Sequence, residues 1–220
     1  MGLEIDLLDL YPRSRRPIEE RGSQISEQDR AIARQFGLEY FDGDRLTGYG
    51  GYRYHPRFWT DTVRRFRDYY KLANNVSVLD VGCAKGFMMY DFNRLMPEMD
   101  ISGLDISSYA YEHAVEEMKP FIRNGNAVNL PYEDNSFDLV ISINTVHNLA
   151  VGECKEALKE IARVTRQDAF ITVDAWRNDE ERERMLKWNL TALTYMHVDD
   201  WKELFNEVGY DGDYYWFIAE

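Results

Sequence analysis

The stretch Val76-Ser77-Val78-Leu79-Asp80-Val81-Gly82-Cys83-Ala84-Lys85-Gly86-Phe87 constrains the fold more than any other part of the chain. A short β-branched run closed by a glycine-bearing turn and followed by a helical pattern reads as a parallel strand buried on both faces. Gly82 lets the chain leave the strand with no Cβ in the way. Gly86 lets a ligand or another backbone lie close to the start of the helix, which the pattern places at about Lys85. The free amides of that helix end favour an electron-rich group. The spacing is not the phosphate-cradling pattern, because Lys85 precedes Gly86 and Phe87 follows it. Nor is it the dinucleotide fingerprint, since Ala84 stands where a second glycine lets pyrophosphate approach. The turn suits a nucleoside-like ligand without a diphosphate, and an ordinary tight strand-to-helix turn is the plain alternative.

The next strand pattern, Met99 to Ser107, carries Asp105 near its tip. A carboxylate there can accept both hydroxyls of a ribose. Then follow Gly125-Asn126-Ala127, Leu130-Pro131 and Asn135-Ser136-Phe137-Asp138-Leu139-Val140-Ile141-Ser142. With these in place the chain resembles the class I S-adenosylmethionine-dependent methyltransferases, of the small-molecule type with a Leu-Pro…Phe-Asp-Leu-Val signature. The resemblance covers Val76 to Asp174, extends more loosely to Gly209, and is faint before Tyr54.

The resemblance implies an α/β fold: a Rossmann-like, doubly wound, mostly parallel sheet of about six strands flanked by helices. It implies S-adenosyl-L-methionine as cofactor and S-adenosyl-L-homocysteine as product. Carried over residue by residue, Asp80, Gly82, Ala84 and Gly86 form the cofactor loop, and Asp105 with Ile106 takes the ribose. Asn126 and Ala127 meet adenine; Asp is common at the first of these, and an Asn oxygen accepts the same amino proton. Ser142 and Asn144 lie by the methionine portion. In such enzymes the segment before the first strand often touches the methionine end, which nominates Tyr52 and Trp59.

Residues 38–60 mix glycines with aromatics and arginines, a composition suited to a flap over a site. Tyr49, Tyr54 and Arg57 are its candidate substrate contacts, joined by Trp176 after the fifth strand. The acceptor would be a small molecule, either aromatic or, with acids around it, a cationic amine. Methyl transfer is an in-line displacement on the carbon beside the sulfonium, and much of the acceleration comes from holding two reactants in line. Where the acceptor is protonated, a base near neutral pKa helps. His147 is the first candidate, then His197 and Asp174; His113 is expected to face solvent and His55 lies in the flap.

Other readings stay open at this stage. A metal-assisted enzyme needs several converging carboxylates, and only Asp174 offers itself, so no metal is expected. A catalytically silent cofactor-binding module that regulates a partner protein is the alternative function.

The chain has 220 residues, which suits residues 61–220 as one main domain with residues 1–60 as an arm, helix and cover. The net charge of −13 argues against a nucleic acid partner, which wants a basic patch. The basic clusters Arg13-Ser14-Arg15-Arg16 and Arg64-Arg65-Phe66-Arg67 read as a solvated arm and a paired helix face. No apolar run approaches the roughly 20 residues needed to span a bilayer. Met1 to Leu10 lacks a basic-then-apolar leader, so a cytoplasmic protein is expected. Cys83 and Cys154 show no disulfide or metal spacing.

Local signals fill in the rest. Ser26 and Asp29 form a capping box for a helix stopping at Gly37. Helices are expected from Pro56 to Lys71, from Ser107 to just before Pro120, and from an Asp199 cap to Gly209. The fifth strand is expected over Phe170–Val173, and a single last strand over Asp213–Ala219. Without a closing hairpin, the sheet edge is left open to a homodimer.

Overall fold

Strand β1 (Ser77–Val81) is buried from Val78 onward, as a run without polar alternation requires. The computed structural model describes residues 2–13, 17–50 and 53–220. Ahead of β1 lie α1 (Ile18–Gln24), α2 (Glu27–Ala33), α3 (Leu38–Phe41) and α4 (Pro56–Tyr70). After it come α5 (Phe87–Leu95), β2 (Asp100–Asp105), α6 (Ser108–Glu112), β3 (Ile122–Asn124), β4 (Phe137–Ile143) and α7 (Val151–Val164). The chain continues through β5 (Thr165–Trp176), α8 (Asp179–Trp188), β6 (Met196–His197), α9 (Val198–Val208) and β7 (Asp213–Phe217).

The strands run β3-β2-β1-β4-β5 across the sheet. Beyond β5 the sheet forks: Phe170–Asp174 pair with β7 and Ala175–Trp176 with β6. Every pairing between the described strands is parallel. The order reverses between β1 and β4, so a crevice opens at the carboxyl ends of those two strands. The sheet has seven strands among the described residues, close to the six or so expected. β5 also starts at Thr165, well before Phe170, because its polar opening residues are held by Asp138: Arg166 and Gln167 both donate to that carboxylate, at 2.7 and 2.8 Å.

Two apolar layers flank the sheet. One joins α7 and α9 through Leu158, Ile161, Trp201 and Phe205. The other joins α4 and α5 through Val63, Phe66, Met89 and Phe92, and it also takes in Leu7. Leu7 is fully buried because the segment before it is pinned to β7: the Tyr214 amide donates to Leu3 at 3.0 Å, and the Ile5 amide to Tyr214 at 2.9 Å. The edge left open to a homodimer in the sequence reading is therefore lined at β7 by the chain's own residues 3–5.

Three local expectations are corrected. α6 ends at Glu112 instead of continuing towards Pro120, because the Val115 amide turns to the Lys85 carbonyl at 3.0 Å. α5 begins at Phe87, with Gly86 rather than Lys85 at its start. α9 is capped by His197, whose Nδ1 accepts the Asp199 amide, and not by Asp199. The Ser26–Asp29 capping box is present as expected. No helix of the described residues is long and apolar enough to cross a membrane.

Candidate active site

The loop between β1 and α5 is shaped by left-handed backbone at three positions: Gly82 (φ +85°), Ala84 (φ 50°) and Gly86 (φ +74°). A Cβ at Gly82 would stand 2.0 Å from Thr145 Oγ1, so only glycine fits. Asp105 holds the loop from the tip of β2: its Oδ2 accepts the Ala84 amide at 2.7 Å and its Oδ1 the Ser107 amide at 2.8 Å. Burial pushes the Asp105 pKa up, and these two amides pull it back. Burial, with the Asp105 charge second, drives Asp80 from 3.8 to about 8, so at neutral pH it is largely protonated.

A cavity of about 890 Å³ opens over this loop, within the size range of small-molecule sites. Of the residues singled out from sequence, Asp80, Gly82, Ala84, Asp105, Ile106, Asn126, Ala127, Asn144 and Trp59 line it, as do Tyr49, Arg57, His147 and Asp174. Asn126 also closes a turn, its Oδ1 accepting the Val128 amide at 3.1 Å. Asn144 sits at φ 52° and accepts the Thr172 hydroxyl at 2.9 Å. Tyr52 lies outside the described residues.

Five expected site residues do not reach the cavity lining. Ser142 is fully buried, and its hydroxyl donates to the Val81 carbonyl at 3.1 Å, tying β4 to β1. Gly86 faces the side chains of Ile122 and Met118, so its missing Cβ serves packing rather than a ligand. Tyr54 donates to Asp91 at 2.9 Å and packs edge-on against Phe87 and Tyr90. Trp176 packs on Tyr195 with Arg182 over its ring. His197 is spent on structure: besides capping α9, its Nε2 lies 3.0 Å from the Arg177 carbonyl.

His147 and Asp174 do come together, from the end of β4 and the end of β5. The Asp174 amide donates to His147 Nδ1 at 2.8 Å, which leaves the proton of the neutral ring on Nε2. Burial drives the His147 pKa from 6.5 down to about 3. The Asp174 carboxylate stands 3.5 Å from Nδ1, and its carbonyl accepts the Trp201 indole N–H at 3.0 Å. Of the other histidines, His55 caps α4 and His113 stacks on Tyr109.

The segment before β1 closes over the loop. Lys85, only 5% exposed, places its ammonium 2.8 and 3.0 Å from the two oxygens of Asp42, and Tyr109 donates to the same carboxylate at 2.7 Å. Tyr49 packs on Trp188 while its hydroxyl accepts the Leu190 amide at 2.8 Å; burial first, then the Asp174 charge, push it up to about 12. Tyr11, from the arm, meets Phe58 and Trp59 of α4 at ring distances of 5.4 and 4.9 Å. Lys85, Asp42 and Tyr11 are absent from the sequence-based site. Lys85 lay in plain view inside the loop, but nothing local signals its partner.

Residues 79–173 match the family described as "Methyltransferase domain". A tRNA (carboxymethyluridine(34)-5-O)-methyltransferase of Arabidopsis thaliana is 30% identical over 132 residues, 59% of this chain and 31% of that protein. A demethylmenaquinone methyltransferase of Lactiplantibacillus plantarum is 33% identical over 106 residues, 44% of each. The chain thus spans less than half the length of either relative. Among solved structures, a chain of the Haloferax volcanii complex containing the Trm112 methyltransferase activator shares the fold at a TM-score of 0.54. That match has 18% identity and covers 90% of this chain and 77% of that one.

Proposed function

We propose that the chain is a class I S-adenosylmethionine-dependent methyltransferase that moves a methyl group to N, O, S or C of a small-molecule acceptor by in-line displacement. One observation carries this reading. The Gly82 loop, Asp105 and Asn126 share a single cavity with the aromatic cover, so a cofactor and a second small molecule can lie end to end. S-adenosyl-L-methionine, when bound, supplies an electrophilic methyl carbon.

The remaining work falls to the chain's own residues. Each Asp105 oxygen keeps lone-pair capacity beyond its backbone amide, enough to receive the ribose hydroxyls. Asn126 retains a second acceptor site on Oδ1 for the adenine amino group. Tyr11, Tyr49, Phe58 and Trp59 exclude water and fix the acceptor in line with the methyl carbon. His147 acts as a neutral group whose Nε2–H orients the acceptor, and Asp174 is the better placed of the two to receive a proton.

The name of the Arabidopsis relative favours a second reading, in which the acceptor is a nucleoside within RNA. The net charge of −13 weighs against it. Calorimetric titration with S-adenosyl-L-methionine and S-adenosyl-L-homocysteine tests the first step. Asp105→Ala should weaken both by roughly ten- to a hundredfold, the worth of hydrogen bonds to a charged group. Unchanged binding in that variant sinks the site. Binding without turnover on any small acceptor or on bulk tRNA would leave a silent regulatory module.

A further inference from the structure

Helix α4 carries four arginines, and three of them hold carboxylates. Arg64 pairs with Asp61 at 2.8 Å, Arg65 with Asp9 at 3.5 Å and Arg67 with Asp68 at 2.7 Å. Arg57 has no ion-pair partner among the described residues. Its guanidinium lies 4.6 Å from the centre of the Phe58 ring, and it lines the cavity. In a chain with 39 acidic and 26 basic residues, an arginine left without a carboxylate on an otherwise paired helix is a selective placement.

The cavity's other cations are engaged. Arg13 is held by Asp6, Lys85 by Asp42 and Arg177 by Glu4, while Arg45 donates to the Tyr49 carbonyl. Of the lining acids, Asp6 is held by Arg13, Asp105 by two amides, Asp174 stands beside His147, and Asp80 is largely protonated at neutral pH; Glu220 completes the set. Tyr11 places a hydroxyl within the electrostatic reach of Arg57, since burial raises its pKa and the Arg57 charge opposes that rise. Arg57 therefore stands at the rim of an aromatic box made by Tyr11, Phe58 and Trp59.

An exposed guanidinium lying over one ring and without a carboxylate partner among the described residues can take a carboxylate or similar oxyanion in two parallel hydrogen bonds. We infer that the acceptor is a small aromatic acid, its ring held by Tyr11, Phe58 and Trp59 and its anionic group by Arg57. This rests on the methyltransferase reading and narrows its acceptor from the aromatic-or-amine choice to an aromatic anion.

The test titrates benzoate, benzamide and benzylamine into the full-length protein, with and without S-adenosyl-L-homocysteine, by calorimetry and tryptophan fluorescence. Benzoate should bind at least tenfold more tightly than the neutral amide. Arg57→Gln should bring the two within about twofold, leaving S-adenosyl-L-homocysteine affinity unchanged, and Arg64→Gln should preserve the preference. Equal binding of the three, preference for the amine, or no binding of any overturns the inference. So does binding of bulk tRNA that benzoate does not displace. Failure of S-adenosyl-L-homocysteine to bind is a separate result that counts against the methyltransferase reading, and the charge preference of the unloaded protein still decides the acceptor.

Discussion

Lys85 and Asp42 join the cofactor loop to the segment that covers it, through two contacts of 2.8 and 3.0 Å across 43 positions of sequence. The lysine side chain is buried and the aspartate side chain partly exposed, so the two halves of the pair are not equivalent. Asp42→Ala deprives a buried ammonium of its carboxylate and should destabilise the fold by about 1–3 kcal/mol. Lys85→Met removes the buried charge itself and should cost less. Urea titration of both variants checks the order; equal losses would contradict it.

Asp80 should make the protein less stable as pH rises. Its carboxyl binds a proton in the folded state up to about 8, whereas the unfolded chain releases it near 3.8. Between those values the folded state holds the extra proton, so stability falls with pH, at most by roughly 1.4 kcal/mol per unit. Asp80→Asn should flatten that slope, with its advantage over the parent growing from pH 5 to pH 8 in urea titrations.

His147 carries the opposite sign. Its folded pKa of about 3 lies below the ordinary 6.5, so the unfolded state binds the proton first. Its contribution is present above pH 6.5 and is lost as pH falls towards 3. The ring should show no titration between pH 5 and pH 8 by histidine-resolved NMR. A pH–rate profile for methyl transfer should accordingly lack a His147 limb, and an NMR midpoint near 6.5 would refute its neutral role.

Gly82→Ala should be among the most damaging single-methyl changes in the chain. It meets both a φ of +85° and Thr145 Oγ1 at 2.0 Å, so a loss of about 1–3 kcal/mol and of S-adenosyl-L-homocysteine binding is expected. Adding Thr145→Ala should recover part of the stability by relieving the clash. Gly152→Ala, within α7 and with nothing near the added methyl, should instead stabilise by about 0.5 kcal/mol. Thermal melts of the three variants give the comparison.

What could be read in advance was mostly local. β4 runs from Phe137 to Ile143, as its largely apolar pattern indicates, and the turn at Gly82 and the carboxylate at Asp105 follow from strand-end chemistry alone. Errors arose where a side chain's direction decides its role. Ser142 and Asn144 sit two positions apart at the end of β4, yet only Asn144, past the strand in left-handed backbone, turns into the cavity. Tyr54 and Trp176 have the right chemistry for a pocket, but partners elsewhere in the chain claim their rings. His197 was nominated for its imidazole and is used for its place at a helix start. The Lys85–Asp42 pair and the arm bearing Tyr11 depend on contacts between distant segments, and no local pattern encodes those.

The pairing of residues 3–5 with β7 sets a timetable for the cavity. During synthesis the arm that carries Tyr11 emerges before β7 and has no strand to lie against until Asp213–Phe217 follows, some 210 positions later. Contacts of such long sequence separation form slowly. A nascent chain can thus assemble β1 to β5 and the Gly82 loop while one wall of the aromatic box is still missing. The Gly82 loop would take shape ahead of the wall that carries Tyr11, and the whole cavity would be lined only once β7 is in place.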